Sequence, residues 1–169
     1  MINLDLEEYS RIKHKTAMLN IASALSSSDI PYCFIKSSSL ALQGLPIHPN
    51  DIDIETTAKG AYNIQRLLKP IGNLLKEVQY STDGVFVSYF GKLNIDGIQV
   101  EIIGELTENH SGRWKSNNPV LEERVFVDEN GYLIPVSRLE HERKSYHELN
   151  RKKDTLKITK LQDMFSLKI

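Results

Sequence analysis

The sequence predicts an α+β domain in which strands occupy the middle of the chain and helices its two ends. Three observations carry that reading. Tyr9, Ile12, Thr16, Leu19, Ala22 and Leu25 recur at three- and four-residue intervals, which gives one helical stripe to bury. In the middle, short runs rich in branched and aromatic residues follow the two-residue period of strands. Past Pro135 the helical spacing returns.

With 169 residues and 40% hydrophobic side chains, the chain is sized for one compact domain carrying a helical appendage. The expected division is 1–135, the N-terminal helix and sheet, and 136–169, helices packed on it. A net charge of −1 excludes a strongly electrostatic, sequence-blind grip on nucleic acid, though not a local basic patch. Cys33 is the single cysteine, so no internal disulfide forms, and its apolar strand suits a small buried side chain in a reducing compartment. No 18-residue apolar run and no signal-peptide pattern occurs, so we expect a soluble cytoplasmic protein with no membrane partner.

In chain order, the first helix spans about 5–28, with Asp5 and Glu8 as its cap pair and Ser26-Ser27-Ser28-Asp29 as its stop. A buried strand follows over 31–35, then a short helix at about 38–43 and a strand at 51–55. Thr56 or Thr57 caps a helix over 58–68 that Pro70 and Gly72 end. Strands are expected near 73–80 and at 85–90. Gly91-Lys92-Leu93-Asn94 and Asp96-Gly97 supply turn chemistry before a strand at 98–103. The polar segment 106–119 reads as a loop, in which Arg113 and Trp114 are placed to clamp a base or phosphate by stacking and charge, or, as the default, Trp114 packs the loop onto the core. Asp128-Glu129-Asn130-Gly131 marks a hairpin between 124–127 and 132–134. Ser137-Arg138-Leu139-Glu140 is a capping box for a helix to about 149, and Asp154 caps a last helix through 165.

The chemistry concentrates between 34 and 55. Strand alternation puts Asp51, Asp53 and Glu55 on one face and Ile52 and Ile54 on the other. Carboxylates side by side repel and must be kept wet or neutralised, and a divalent cation between Asp51 and Asp53 resolves both demands. Mg²⁺, or Mn²⁺ in its place, suits one or two carboxylates completed by water and phosphate oxygens. Upstream, Lys36-Ser37-Ser38-Ser39 sits where strand turns into helix, a place that accepts phosphate through backbone N–H groups, hydroxyls and a lysine charge. A phosphate turn followed by a metal-ready acid pair is equipment for phosphoryl or nucleotidyl transfer.

This ordered set, from Ile35-Lys36-Ser37-Ser38-Ser39-Leu40-Ala41-Leu42 through Gly44 to Asp51-Ile52-Asp53, resembles the nucleotidyltransferase superfamily of DNA polymerase beta type. It is most similar to the branch holding abortive-infection toxins. The resemblance implies a nucleotidyltransferase fold, a small mixed β-sheet flanked by helices, with C-terminal helices that close the cleft. It implies Asp51 and Asp53 as metal-binding carboxylates, Ser37 and Ser38 with Lys36 as the phosphate turn, and Glu101 as the third acid. Serines stand where the family has glycines, and Ile47 stands where an arginine is often found. Taken by itself, Glu101 in an apolar strand is an edge charge facing water; with the upstream motif it is a third metal-binding or base carboxylate.

Arg143, Lys144, Arg151, Lys152 and Lys153 form the most basic segment, read either as a solvated helical surface or as a positive wall for triphosphate, with Arg151 and Lys153 as candidates. A calcium loop is excluded because no glycine stands sixth from Asp51, and His141 and His147 lack the spacing of helical zinc ligands. No Gly-x-Ser-x-Gly elbow offers a nucleophile. The leading expectation is a metal-dependent nucleotidyltransferase acting on a nucleoside triphosphate, its acceptor a small molecule such as an antibiotic, a protein or an RNA. The alternatives are a silent nucleotide- or partner-binding module, including one that is part of a toxin-antitoxin system, and a nucleic-acid adaptor using the basic helices. The oligomeric state stays open.

Overall fold

The computed structural model of the chain describes residues 6–117 and 119–166, so the expected cap at Asp5 lies outside the described residues. The elements run α1 (Leu6–Leu25), β1 (Tyr32–Ile35), α2 (Lys36–Leu42), β2 (Asp51–Thr56), α3 (Ala58–Leu68), β3 (Asn73–Thr82), β4 (Phe86–Ile95), β5 (Ile98–His110), β6 (Arg113–Ser116), α4 (Pro119–Glu123), β7 (Val125–Glu129), β8 (Tyr132–Val136), α5 (Leu139–Leu149) and α6 (Thr155–Ser166). Single 3₁₀ turns at Lys69–Ile71 and Lys152–Asp154 precede β3 and α6.

Eight strands form one sheet in the order β3-β4-β5-β2-β1-β8-β7, with β6 added at the end of β5. The sheet is mixed: β2 runs parallel to β5 and β1 parallel to β8, while the other pairs are antiparallel. The α+β expectation therefore holds, and its two-residue alternation sorts the faces. Phe34, Ile52, Ile54, Val100 and Ile102 point to the face that α1 and α3 cover, where Met18, Ile21, Leu25, Ile64 and Leu68 complete the main core. Each such side chain contributes about 1.5–3 kcal/mol when fully buried. Cys33, Ile35 and Ile103 point the other way and pack with Leu106, Val120 and Leu121. A third cluster joins α2 to the C-terminal helices through Leu40, Leu45, Leu139, Tyr146 and Leu161.

Local chemistry explains the element ends that sequence anticipates. Ser26 and Ser28 turn their hydroxyls onto the carbonyls of Ser23 and Leu25, closing α1. Thr57 caps α3 by accepting the Gly60 N–H at 2.9 Å.

Four expectations are corrected. The segment 106–119 is no simple loop: β5 continues to His110 and turns at Ser111-Gly112, both at positive φ, into β6. Its polar composition hides strand because Glu105, at φ 55°, makes a bulge that switches which residues face inward. Trp114 on β6 is 47% exposed rather than packed on the core. Gly91 to Asn94 form no turn, since β4 runs on to Ile95 and the chain reverses at Asp96-Gly97. Gly91 is required there because a Cβ would lie 2.6 Å from Val78. Finally, the Ser137 capping box does not form. Arg138 is the N-cap of α5, and the Ser137 hydroxyl donates instead to Glu142 at 2.6 Å.

Close packing of α3 on β5 depends on Gly104, where an added Cβ would meet the Thr57 carbonyl oxygen at 2.8 Å and the Ala61 Cβ at 2.9 Å. Gly104→Ala must push helix from strand, and we expect it to destabilise the protein by about 1–3 kcal/mol, read from denaturant unfolding midpoints. An unchanged midpoint would show that the two elements are not in such close contact.

Candidate metal and nucleotide site

The site follows from the parallel register of β2 on β5, which sets Asp53 beside Glu101. One carboxylate oxygen each from Asp51, Asp53 and Glu101 lies within 4.8 Å of the others. Asp53 is 7% exposed, and its Oδ1 has no hydrogen-bond partner among the described residues. An orphaned buried carboxylate oxygen between two further carboxylates fits a hard divalent cation, which would supply a positive charge in direct contact with that oxygen. Burial pushes the Asp53 carboxyl up to about 8; the Lys36 charge opposes this, and Asp51 and Glu101 add to it.

Glu101 also meets cations and donors at the cleft mouth. Lys92 Nζ lies 3.5 Å from its Oε1, and Gln99 donates to the same oxygen at 3.1 Å. Beyond it opens a cleft of about 360 Å³ lined by Lys36, Phe86, Phe90, Lys92, Arg151 and Lys153. Lys36 Nζ stands 4.8 Å above the Phe86 ring and the Arg151 guanidinium 5.5 Å from it. Arg151 is aimed by Asp154, which is fully buried and accepts its Nε–H at 2.7 Å. The structure thus brings Lys36, Arg151 and Lys153 together beside Glu101, although they come from opposite ends of the chain.

The serine turn is arranged differently from the expectation. Ser38 is buried to 1% exposure, and its hydroxyl donates to the Asp51 carbonyl at 3.3 Å, with His14 Nε2 also 3.3 Å away. Ser39 is buried as well and donates to the Ser137 carbonyl at 2.8 Å. Ser38 therefore offers no hydroxyl to a ligand; Ser37 is half-buried beside the Tyr146 phenol. Glu55 departs from the acid group too. Lying on the same face as Asp53, it is fully buried and accepts the Asn117 Nδ2–H at 2.6 Å. Burial pushes its carboxyl well up, against the Asn117 hydrogen bond. Arg113 and Trp114 do not line the Glu101 cleft.

Sequence reasoning missed several contributors. Lys92 was hidden by a false turn signal, and Phe86 and Phe90 read only as strand formers. His14 carries no motif, yet its Nε2–H donates to the Asp51 carbonyl at 2.9 Å, tying α1 to the start of the acid strand. Burial lowers its pKa, consistent with a neutral ring.

Lys36 itself has φ 56°, a left-handed conformation that costs a non-glycine residue about 1–2 kcal/mol. Its N–H donates to Glu142 Oε1 at 3.1 Å, and a hydrogen bond to a carboxylate contributes about 1.5–3 kcal/mol, enough to hold it.

The raised Asp53 pKa sets a pH dependence. The carboxyl ionises at 3.8 in the ordinary state and at about 8 when folded, so its contribution to stability is full below 3.8 and lost as pH rises through 8. For the metal-free protein, Asp53→Asn should therefore melt above the wild type at pH 8, with the gap closing towards pH 4. Adding Mg²⁺ or Mn²⁺ at pH 8 should raise the wild-type melting temperature and leave the variant unmoved. A wild type indifferent to both cations would remove the metal from the site.

Comparison with known proteins places the chain. Residues 17–161 match the sequence profile described as Aminoglycoside-2''-adenylyltransferase. A crystal structure from Thermotoga maritima, described as a candidate nucleotidyltransferase, is 32% identical, with a TM-score of 0.77 over 91% of this chain and 95% of that one. The lincosamide antibiotic adenylyltransferase LnuA, bound to lincomycin, shares the fold at a TM-score of 0.57 and 13% identity, covering 88% and 96% of the two chains. ANT(2'')-Ia in complex with adenylyl-2''-tobramycin does so at 0.61 and 9% identity, covering 89% and 88%. No curated protein sequence matches significantly. Among the described residues no helix is long and apolar enough to cross a membrane. With the profile spanning most of its length, the chain belongs to the aminoglycoside-2''-adenylyltransferase family of nucleotidyltransferases.

Proposed function

We propose that the protein transfers a nucleoside monophosphate, with ATP as the first donor to test, to a hydroxyl of a small-molecule antibiotic of aminoglycoside type. The observation that carries this reading is the convergence of Asp51, Asp53 and Glu101 within 4.8 Å at the edge of a basic cleft. The acceptor class rests on the family and on fold relatives that hold lincomycin and adenylylated tobramycin.

Asp51, Asp53 and Glu101 would hold Mg²⁺ or Mn²⁺, which when bound neutralises charge on the triphosphate. Lys36, Arg151 and Lys153, which line the cleft together with Glu101, bind the phosphate oxygens, with Ser37 next to Lys36 in the turn. They orient the α-phosphorus for in-line attack by the acceptor oxygen. The new oxygen–phosphorus bond forms as the bond to pyrophosphate breaks, and pyrophosphate leaves with its charge matched by the basic wall. Glu101, half-buried at the cleft mouth, takes the proton of the acceptor hydroxyl. The toxin-like reading shares this chemistry and differs only in its acceptor.

The test incubates the protein with each nucleoside triphosphate, Mg²⁺ and a panel of aminoglycosides and lincosamides, reading pyrophosphate release and the mass gain of the antibiotic. We expect adenylylation of at least one aminoglycoside, lowered about a hundredfold or more in Asp53→Asn, the scale of losing one preorganised electrostatic contact. Modification of a protein or a transfer RNA instead would move the assignment to the toxin-like branch. Nucleotide binding without pyrophosphate release from any acceptor would leave a silent binding module.

A further inference from the structure

We propose that Glu142 is a positioning residue for the nucleotide, acting through the Lys36 backbone; the inference rests on the nucleotide-binding reading above. Glu142 sits on α5 and is 3% exposed. Its Oε1 accepts two donors, the Lys36 N–H at 3.1 Å and the Ser137 hydroxyl at 2.6 Å. One buried oxygen from the C-terminal helices thereby holds the first residue of the phosphate turn, 106 positions earlier in the chain.

The residue held is the strained one. Ile35 before it is extended, at φ −124° and ψ 175°, and Lys36 then turns to φ 56° before the chain enters α2. No side-chain cap stabilises this start. A lysine released from such a clamp relaxes to negative φ, because its Cβ crowds the left-handed region. That rotation redirects the Cα–Cβ bond, and with it the ammonium now placed over Phe86 within the Glu101 cleft.

Ser137 makes the clamp rigid. Its N–H donates to the Phe34 carbonyl at 3.0 Å, and its carbonyl accepts from both Ser39 Oγ and Gln43 Nε2 at 2.8 Å. Every polar group of Ser137 is thus engaged by β1, α2 or Glu142. Ser39, buried in the turn, serves this lock through its hydroxyl, and the carboxylate of Glu142 completes it.

The experiment is calorimetric titration of the full chain with ATP in the presence of Mg²⁺, well below each variant's melting midpoint. Glu142→Ala should weaken binding about tenfold, and Glu142→Gln, which keeps an acceptor oxygen in place, should restore it to within about threefold of wild type. Glu142→Asp keeps the charge but withdraws the oxygen from the Lys36 N–H; it should behave as Glu142→Ala and serves if that variant does not fold. In the Lys36→Gly background, where φ 56° carries no strain and no ammonium needs aiming, the same Glu142 changes should have no further effect on affinity. A role confined to stability would lower the melting temperature of Glu142→Ala and leave its affinity at the wild-type value. That result, or additive losses in the double variant, overturns the inference alone. A wild type that does not bind ATP with Mg²⁺ overturns the inference and the functional reading together.

Discussion

The parallel pairing of β2 with β5 is the constraint on which the site depends. It sets Asp53 opposite Glu101 and Ile52 opposite Val100, so that acids and core residues sort to opposite faces in a single step. A slip of one residue would drive Glu101 into the core and expose Val100. The apolar face therefore fixes the register, and the register fixes the acids. Fully buried Ile52, Ile54, Val100 and Ile102 supply the hydrophobic gain that allows three carboxylates to be held within 4.8 Å on the reverse face. Repulsion among them is a strain on the fold that a bound cation would relieve.

How much of this was legible in the sequence depends on the range of the determinant. Alternation is local, so the strands bearing Asp51, Asp53 and Glu101 could be read directly, as could the Thr57 cap. The convergence of Glu101 on the other two acids is not local, because nothing in 98–103 names its neighbour; there the family resemblance carried the expectation. Glu55 shows the limit of alternation: it shares a face with Asp53, yet a few ångströms further along the strand the covering changes from open cleft to Asn117 and an apolar cluster. The continuation of β5 past Leu106 was hidden by the bulge at Glu105, which breaks the two-residue period that identifies a strand. Lys92 was lost because a glycine and an asparagine flanking it imitate a turn, whereas Gly91 is there to let Val78 approach.

The serine turn reads differently once its partners are known. From sequence, three hydroxyls after a strand look like phosphate donors. In the fold, Ser38 and Ser39 are buried and face protein carbonyls, one on β2 and one at Ser137. Side-chain oxygen at these positions replaces flexible backbone with a fixed one, which suits a turn whose first residue is strained and not a glycine. The same bonds make the C-terminal segment part of the turn's support. Ser137, Glu142 and Tyr146 pack against α2, so the segment does more than cover the sheet.

A net charge of −1 suggests little about ligands until it is resolved in space. Three acids converge at the edge of the cleft, and Lys36, Lys92, Arg151 and Lys153 line it beside Glu101. A ligand that carries both a dication and phosphate oxygens would match the acids and the cations together, whereas a bare polyanion meets repulsion from the acids and a bare polycation from the lysines. The Lys92–Glu101 ion pair joins cross-strand neighbours of β4 and β5 and is partly exposed, which keeps it weak. Under the proposed function, preference for a metal-nucleotide over nucleic acid would follow from gathering opposite charges in one small cleft.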